Sequence, residues 1–162
     1  EDRYVSIVDR KKELIITAGG KNISPANIEA RVEAGSPLIG HVAAVGDRRP
    51  YVAALIALDP DTAVDFAAEQ GIDDASVTAL AAHPGVCSLV RDAVEAANAH
   101  LSRAERVKRF AILPVEWLPG GEELTPTLKL KRRAIATRYA AEIDELYSSG
   151  SERFSPGQNP VR

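Results

Sequence analysis

Apolar residues along this chain form two kinds of pattern, continuous runs and helical spacing, and the two alternate. The runs at residues 41–47, 51–58 and 106–115 have the length and branched composition of buried strands. Between residues 86 and 101 the apolar positions are three and four apart, which predicts a long amphipathic helix. We therefore predict an α+β fold in which helices flank a small mixed sheet of about three strands.

The N-terminal stretch has the densest set of local signals. Residues 4–8 and 13–17 are rich in strand-forming residues, and the charged corner at 9–12 between them predicts a β-hairpin. Gly19 and Gly20 follow, where the backbone can take a positive φ or approach a ligand closely. Ser24 and Pro25 then give an N-cap and a first-turn proline, which predict a helix start.

A second unusual stretch lies near the other end, at residues 124–133. It leads into a predicted helix that carries Ile135, Tyr139, Ile143 and Leu146 on one face. The stretch contains four cations in five residues: Lys129, Lys131, Arg132 and Arg133. Cations at a helix start oppose the helix dipole. This run fits a solvated helix start, a phosphate contact or a nuclear-localisation-like sequence. Residues 148–162 are rich in Ser, Gly and Pro, and we expect a disordered tail there.

Composition narrows the class of protein. The 162 residues carry a net charge of −3, which argues against a general nucleic-acid binder. No apolar run approaches the roughly 20 residues that span a bilayer. The single cysteine, Cys87, has no spacing to His83 or His100 that suggests a metal site, and it favours a reducing, cytoplasmic location. Since there is no methionine, we expect a piece of a longer protein.

The two unusual stretches together resemble the C-terminal domain of the acyl-adenylate-forming enzymes, a superfamily that includes acyl-CoA synthetases, peptide-synthetase adenylation domains and luciferase. Residues 9–15 with 19–25 look like that family's hinge and glycine-loop motif, and residues 124–132 look like its final motif. The Leu-Thr-Pro-Thr-Leu-Lys variant and the helices between residues 61 and 102 are most similar to long-chain fatty acid–CoA ligases. The resemblance covers about residues 4–147.

The resemblance implies a mobile lid over residues 1–147, with a hinge near residues 9–13. A large N-terminal domain, absent from this chain, would bind ATP and the fatty acid, and Mg²⁺ is expected there with ATP rather than on the lid. In one orientation of the lid, acyl-AMP forms; after rotation, coenzyme A attacks it to give the thioester. The full enzyme is expected to be cytoplasmic, with at most peripheral membrane association and no nucleic-acid partner.

The same resemblance gives roles to individual residues. Lys129 matches the catalytic lysine, Lys12 the hinge residue, and Arg10 a nucleotide-binding residue. Gly19 and Gly20 match the loop that lines the coenzyme A passage. No residue is implied as a metal ligand, and Lys131, Arg132 and Arg133 have no firm role.

Two alternatives remain open at this point. The full enzyme could stop at the acyl adenylate and pass it to a carrier protein, in which case the fold stays and the product changes. In a different class, the cations of residues 129–133 could form a non-catalytic binding module for an acidic partner or a nucleic acid. Under either enzymatic interpretation the isolated chain is expected to be inactive, because it lacks the domain that holds ATP and the acyl chain.

Overall fold

The computed structural model describes residues 13–148 and 158–160. The elements in chain order are β1 (Ile15–Ile16), β2 (Asn22–Ile23), α1 (Pro25–Glu33), β3 (Ile39–Val45), β4 (Val52–Leu58), α2 (Pro60–Gln70), α3 (Val77–Ala81), α4 (Pro84–Asn98), β5 (Val107–Leu113), α5 (Arg132–Arg138), α6 (Ala140–Tyr147) and β6 (Gln158–Pro160).

The main sheet has the strand order β3-β4-β5-β6. Strand β4 is antiparallel to β3 and parallel to β5, and the long crossover that a parallel pair requires consists of α2, α3 and α4. All seven residues of β4 are buried, as its continuous apolar run predicts. The predicted α+β fold with a small mixed sheet of about three strands is confirmed.

Side chains of β4 alternate between two cores, one on each face of the sheet. On one face its even-numbered residues pack against α1, α2, α3 and α4. The predicted long amphipathic helix is α4, which buries Val86, Val90 and Val94 in this core. On the other face, the odd-numbered residues of β4 pack against α5, α6 and Trp117. Trp117 and Leu124, from the segment of residues 114–131, complete this second core.

Helix starts follow the local sequence signals. Ser24 is extended and Pro25 occupies the first turn of α1, as predicted. The side chain of Asp59 accepts a hydrogen bond of 2.8 Å from the Thr62 N–H at the start of α2. The single C-terminal helix that we predict is two helices, because Tyr139 leaves the helical region at φ −103° and ψ 29°. All four of its predicted inward residues are nevertheless buried.

Strand β3 lies at the edge of the described sheet, and α1 covers that edge with two glutamates. Glu29 accepts a hydrogen bond from Ala44 N–H at 2.9 Å, and Glu33 accepts one from Val42 N–H at 3.0 Å. Residues four apart on a helix thus satisfy main-chain donors two apart on a strand. Burial raises the pKa of Glu33, the Val42 N–H opposes that rise, and the charge of Glu29 adds to it.

Two predicted terminal segments lie partly outside the described ranges. The predicted hairpin between residues 4–8 and 13–17 involves residues outside the described ranges; within them, β1 pairs with β2 across the glycine loop. The sequence predicts a disordered tail over residues 148–162, of which residues 149–157 and 161–162 lie outside the described ranges. Its residues 158–160 instead form β6, because the main-chain groups of β5 offer an antiparallel pairing partner.

Candidate functional site

The final motif forms a tight hairpin rather than the start of a helix. Leu124 pairs with Leu130, and between them the Leu128 N–H donates to the Thr125 carbonyl at 3.0 Å. Leu128 takes a left-handed φ of 62°, which is uncommon for a residue other than glycine. A three-residue loop closed by a left-handed residue is a common hairpin geometry. Helix α5 begins only at Arg132, so Lys129 belongs to the hairpin.

Lys129 is exposed, and its ammonium group has no hydrogen bond or ion pair with any residue in the described ranges. Its main chain is held on both sides: the Thr125 side-chain oxygen accepts from its N–H at 3.0 Å, and the Thr125 N–H donates to its carbonyl at 2.8 Å. The structure therefore gives the predicted catalytic lysine a fixed backbone and a charge that points into solvent.

Two of the neighbouring cations, Lys131 and Arg132, form hydrogen bonds within the domain. Lys131 Nζ donates to the Gly121 carbonyl at 2.8 Å. The Arg132 guanidinium makes two hydrogen bonds of 2.6 and 2.8 Å to the two carboxylate oxygens of Glu29, which is only 6% exposed. The basic run is thus divided, and two of its four cations are engaged by residues 10 and 103 positions away. This division weakens the interpretation of residues 129–133 as one binding patch.

A second anchor fixes the chain on the other side of the hairpin. The buried Glu123 accepts a hydrogen bond of 2.7 Å from the Tyr139 hydroxyl, which in turn accepts one of 3.2 Å from Trp117 Nε1. Arg138 forms an ion pair with Glu123 at 3.3 Å. Burial, together with the bond to the Glu123 carboxylate, raises the pKa of Tyr139 to about 12. No local pattern indicates Glu29 or Glu123, since each bonds to partners that are distant in the chain.

The predicted glycine loop is the turn between β1 and β2. Gly20 has a φ of 74°, one of the two uses that the glycine pair allows, and Gly19 is not among the glycines with a positive φ. Main-chain bonds join this hairpin to the turn between β3 and β4: Ala18 N–H donates to Arg49 carbonyl at 2.9 Å, and Arg48 N–H donates to Ile16 carbonyl at 2.8 Å. The glycine loop is therefore attached firmly to the sheet.

The predicted hinge and nucleotide residues, Lys12 and Arg10, lie outside the described ranges. The first described residue after them is Glu13, whose carboxylate lies 4.0 Å from Arg132 Nε. Both residues line a groove of about 500 Å³ that also contains Asp47, Arg49 and Asp144. Glu13, which follows the predicted hinge residue Lys12, therefore lies close to Arg132, which is three positions after Lys129.

Two further features concern metals and membranes. Among residues 13–148 and 158–160, no three His, Cys, Asp or Glu side chains are grouped so that they could hold a metal ion. In the same part of the chain, no helix combines the length and the apolar character that crossing a membrane requires.

Comparison with known proteins gives one consistent set of relatives. The family described as AMP-binding enzyme C-terminal domain matches residues 12–151. FadD11 of Mycobacterium tuberculosis, named as a fatty-acid–CoA ligase, is 54% identical over 148 residues, which are 91% of this chain and 26% of the relative. The long-chain-fatty-acid–CoA ligase FadD15 of the same species is 40% identical over 149 residues, again 91% of this chain and 25% of the relative.

Solved structures support the fold. The adenylation domain of a carboxylate reductase from Mycobacterium chelonae superimposes with a TM-score of 0.66 at 21% identity, over 86% of this chain and 20% of that one. The chain spans about a quarter of the length of the curated relatives that it matches. With a family match over residues 12–151 and relatives at 40–54% identity, the chain belongs to the family of AMP-binding enzyme C-terminal domains.

Proposed function

We propose that residues 1–147 are the mobile lid of a long-chain fatty acid–CoA ligase and that Lys129 is its catalytic lysine. The full enzyme would activate a fatty acid with ATP to acyl-AMP and then, after lid rotation, form the thioester with coenzyme A. The observation that carries this proposal is the exposed ammonium of Lys129, which has no partner among residues 13–148 and 158–160, on a hairpin whose backbone is fixed by Thr125. The names of the two mycobacterial relatives support the substrate class.

Electrostatics explain why a lysine suits the first half-reaction. A carboxylate must attack a triphosphate, so two anions have to approach each other, and an ammonium placed between them cancels part of their repulsion. A lysine is a compact charge on a long stem that can reach into the site of another domain. By analogy with removal of one preorganised donor, loss of this charge would slow adenylate formation by a factor on the order of 10²–10³.

The other predicted residues would serve the change between lid orientations. Lys12 would be the hinge residue and Arg10 would contact the nucleotide. Gly19 and Gly20 would line the passage for the pantetheine arm of coenzyme A, where a thin substrate needs close approach to the backbone. Glu13, at the end of the proposed hinge, lies 4.0 Å from Arg132 Nε, so the hinge would adjoin the segment that follows the lysine hairpin.

Partners of the lid follow from the same proposal. Its main partner would be the large N-terminal domain of its own enzyme, which would hold ATP, Mg²⁺ and the acyl chain. Coenzyme A would be the second substrate, and the location would be the cytoplasm, in keeping with a sequence whose single cysteine, Cys87, cannot form an internal disulfide. The isolated chain is expected to make no acyl-CoA, which incubation of the purified 162 residues with ATP, coenzyme A and palmitate would check.

The decisive experiment compares Lys129→Ala with wild type in the full-length enzyme. One assay follows acyl-AMP formation from ATP and fatty acid, and another follows thioester formation from pre-formed acyl-AMP and coenzyme A. The variant should fail in the first assay and retain the second. Lys108→Ala, which removes an exposed cation on β5, is the matched control and should behave like wild type.

Each remaining outcome has a clear meaning. If Lys129→Ala equals wild type in both assays, the lysine is misassigned. If the wild-type enzyme forms acyl-AMP but no thioester, the lid belongs to an enzyme that passes the adenylate to a carrier protein.

A further inference from the structure

The glycine hairpin and the lysine hairpin are built to the same plan. In the glycine hairpin, the Gly20 N–H donates to the Thr17 carbonyl at 2.8 Å, and the Thr17 N–H donates to the Lys21 carbonyl at 3.1 Å. The Thr17 side-chain oxygen accepts from the Lys21 N–H at 3.2 Å. Gly20, just before the lysine, is left-handed with a φ of 74°.

Each of these bonds has a counterpart around Lys129. Leu128 N–H donates to the Thr125 carbonyl at 3.0 Å, Thr125 N–H donates to the Lys129 carbonyl at 2.8 Å, and Lys129 N–H donates to the Thr125 hydroxyl at 3.0 Å. Leu128 is left-handed at 62°. Both loops therefore begin with a threonine and end, four residues later, with a lysine whose backbone is fixed by that threonine.

Lys21 therefore resembles Lys129 in having a main chain held by a threonine and an exposed side chain. Its side chain is exposed, and its ammonium has no partner among the residues that the structure describes. The hairpin that carries it is bonded to the β3–β4 turn through Ala18 and Ile16. An ordinary solvated lysine needs no such support, whereas a cation that must arrive at a fixed point in another domain's site does.

We propose that Lys21 is the catalytic cation of the thioester half-reaction, as Lys129 is of the adenylate half-reaction. This inference rests on the proposed function, because it needs a lid that presents the glycine hairpin after rotation. Rotation withdraws Lys129 from the reacting centre, while the second reaction again develops negative charge there. A second cation on the newly presented hairpin supplies the missing stabilisation.

The chemistry of the step balances as follows. The thiol of coenzyme A releases its proton to water, and its sulfur attacks the carbonyl carbon of acyl-AMP. A carbon–sulfur bond forms, and the bond between that carbon and the phosphate oxygen breaks, so that AMP leaves with the electron pair. The Lys21 ammonium would stabilise the negative charge on the carbonyl oxygen and on the departing phosphate, which is greatest in the transition state.

The test uses the full-length enzyme with Lys21→Gln, Lys21→Arg and the control Lys108→Gln. Thioester formation from pre-formed acyl-AMP is measured with coenzyme A and with pantetheine, which lacks the nucleotide phosphates. We expect Lys21→Gln to lower kcat on the order of 10²-fold or more with both thiols, while acyl-AMP formation stays at the wild-type rate. Lys21→Arg should recover part of the loss because it keeps the charge, and thermal unfolding should show that every variant is folded.

Three results would overturn the assignment without touching the proposed function. One is a Lys21→Gln enzyme that equals wild type in the thioester assay. Another is a defect that appears only as a raised KM for coenzyme A and vanishes with pantetheine, since Lys21 would then contact the nucleotide phosphates. The third is an equal loss in both half-reactions. If instead the wild-type enzyme forms neither acyl-AMP nor thioester, the proposed function itself fails.

Discussion

Replacing Glu29 by Gln tests how the lysine hairpin is attached to the rest of the domain. The Glu29 carboxylate accepts three hydrogen bonds, two from Arg132 and one from the Ala44 N–H. A glutamine has nearly the same shape but one carbonyl oxygen and one NH₂ group. One of its atoms must therefore place a donor against the Arg132 guanidinium, and the negative charge that balances Arg132 is gone.

The expected magnitude follows from the burial of the pair. Breaking a buried ion pair by removing one partner destabilises a protein by about 3–5 kcal/mol. The Glu29 side chain is 8% exposed, but that of Arg132 is 26% exposed and can regain some water. We therefore expect about 3 kcal/mol, near the lower limit of that range. For a chain of this size, such a loss lowers Tm by roughly 6–12 °C.

Chemical denaturation of the purified chain would measure this loss, and Glu33→Gln provides the matched control. Glu33 lies one turn along α1 and accepts a hydrogen bond from the Val42 N–H, but no arginine within residues 13–148 and 158–160 forms an ion pair with it. Folding raises the pKa of Glu33, so the protonated form favours the folded state. This contribution to the free energy of unfolding is complete below the unfolded pKa and is lost as pH rises through the folded pKa. Glu33→Gln should therefore be neutral or stabilising at pH 7. A loss below 1 kcal/mol for Glu29→Gln, or equal losses for both variants, would refute the reasoning.

The backbone and the tyrosines give further expectations. A Cβ at Gly20 would meet no atom within 4 Å, so Gly20→Ala should destabilise the chain by about 1–2 kcal/mol through its left-handed φ alone. Leu128→Gly relieves the same kind of backbone strain but raises the conformational entropy of the unfolded chain, so the free energy of unfolding should change by less than about 1 kcal/mol. Denaturant titration of the two variants checks both values. The folded pKa of Tyr139 is raised to about 12, so its neutral hydroxyl stabilises the folded state. This contribution to the free energy of unfolding is complete below the unfolded pKa of about 10 and is lost as pH rises through about 12. Tyr139→Phe should flatten the fall of Tm across that range, and Tyr147, whose pKa burial also raises, should leave a residual slope.

Local signals in the sequence predicted those features that depend on a few neighbouring residues. The apolar run of β4 and the start of α1 at Ser24 follow from residue types within one short window, whereas the glycine pair allowed a positive φ without indicating which glycine takes it. The bond between Arg132 and Glu29 joins residues 103 positions apart, and no local pattern indicates it. The same limit applied to Lys129, since a run of cations before a helix does not reveal which of them the fold will engage.

The hairpin at Lys129 illustrates why such distant contacts matter for the proposed chemistry. A leucine in a left-handed conformation disfavours this turn by roughly 1–2 kcal/mol, so local preference alone does not hold Lys129 in place. Bonds from Lys131 to Gly121 and from Arg132 to Glu29 follow immediately and attach the chain to the body of the domain. Under the proposed function, a lid that closes twice would gain from this arrangement, because ordering a loose loop at each closure would oppose binding. If both lysine hairpins are rigid parts of the proposed lid, its rotation alone would decide which ammonium reaches the reacting atoms.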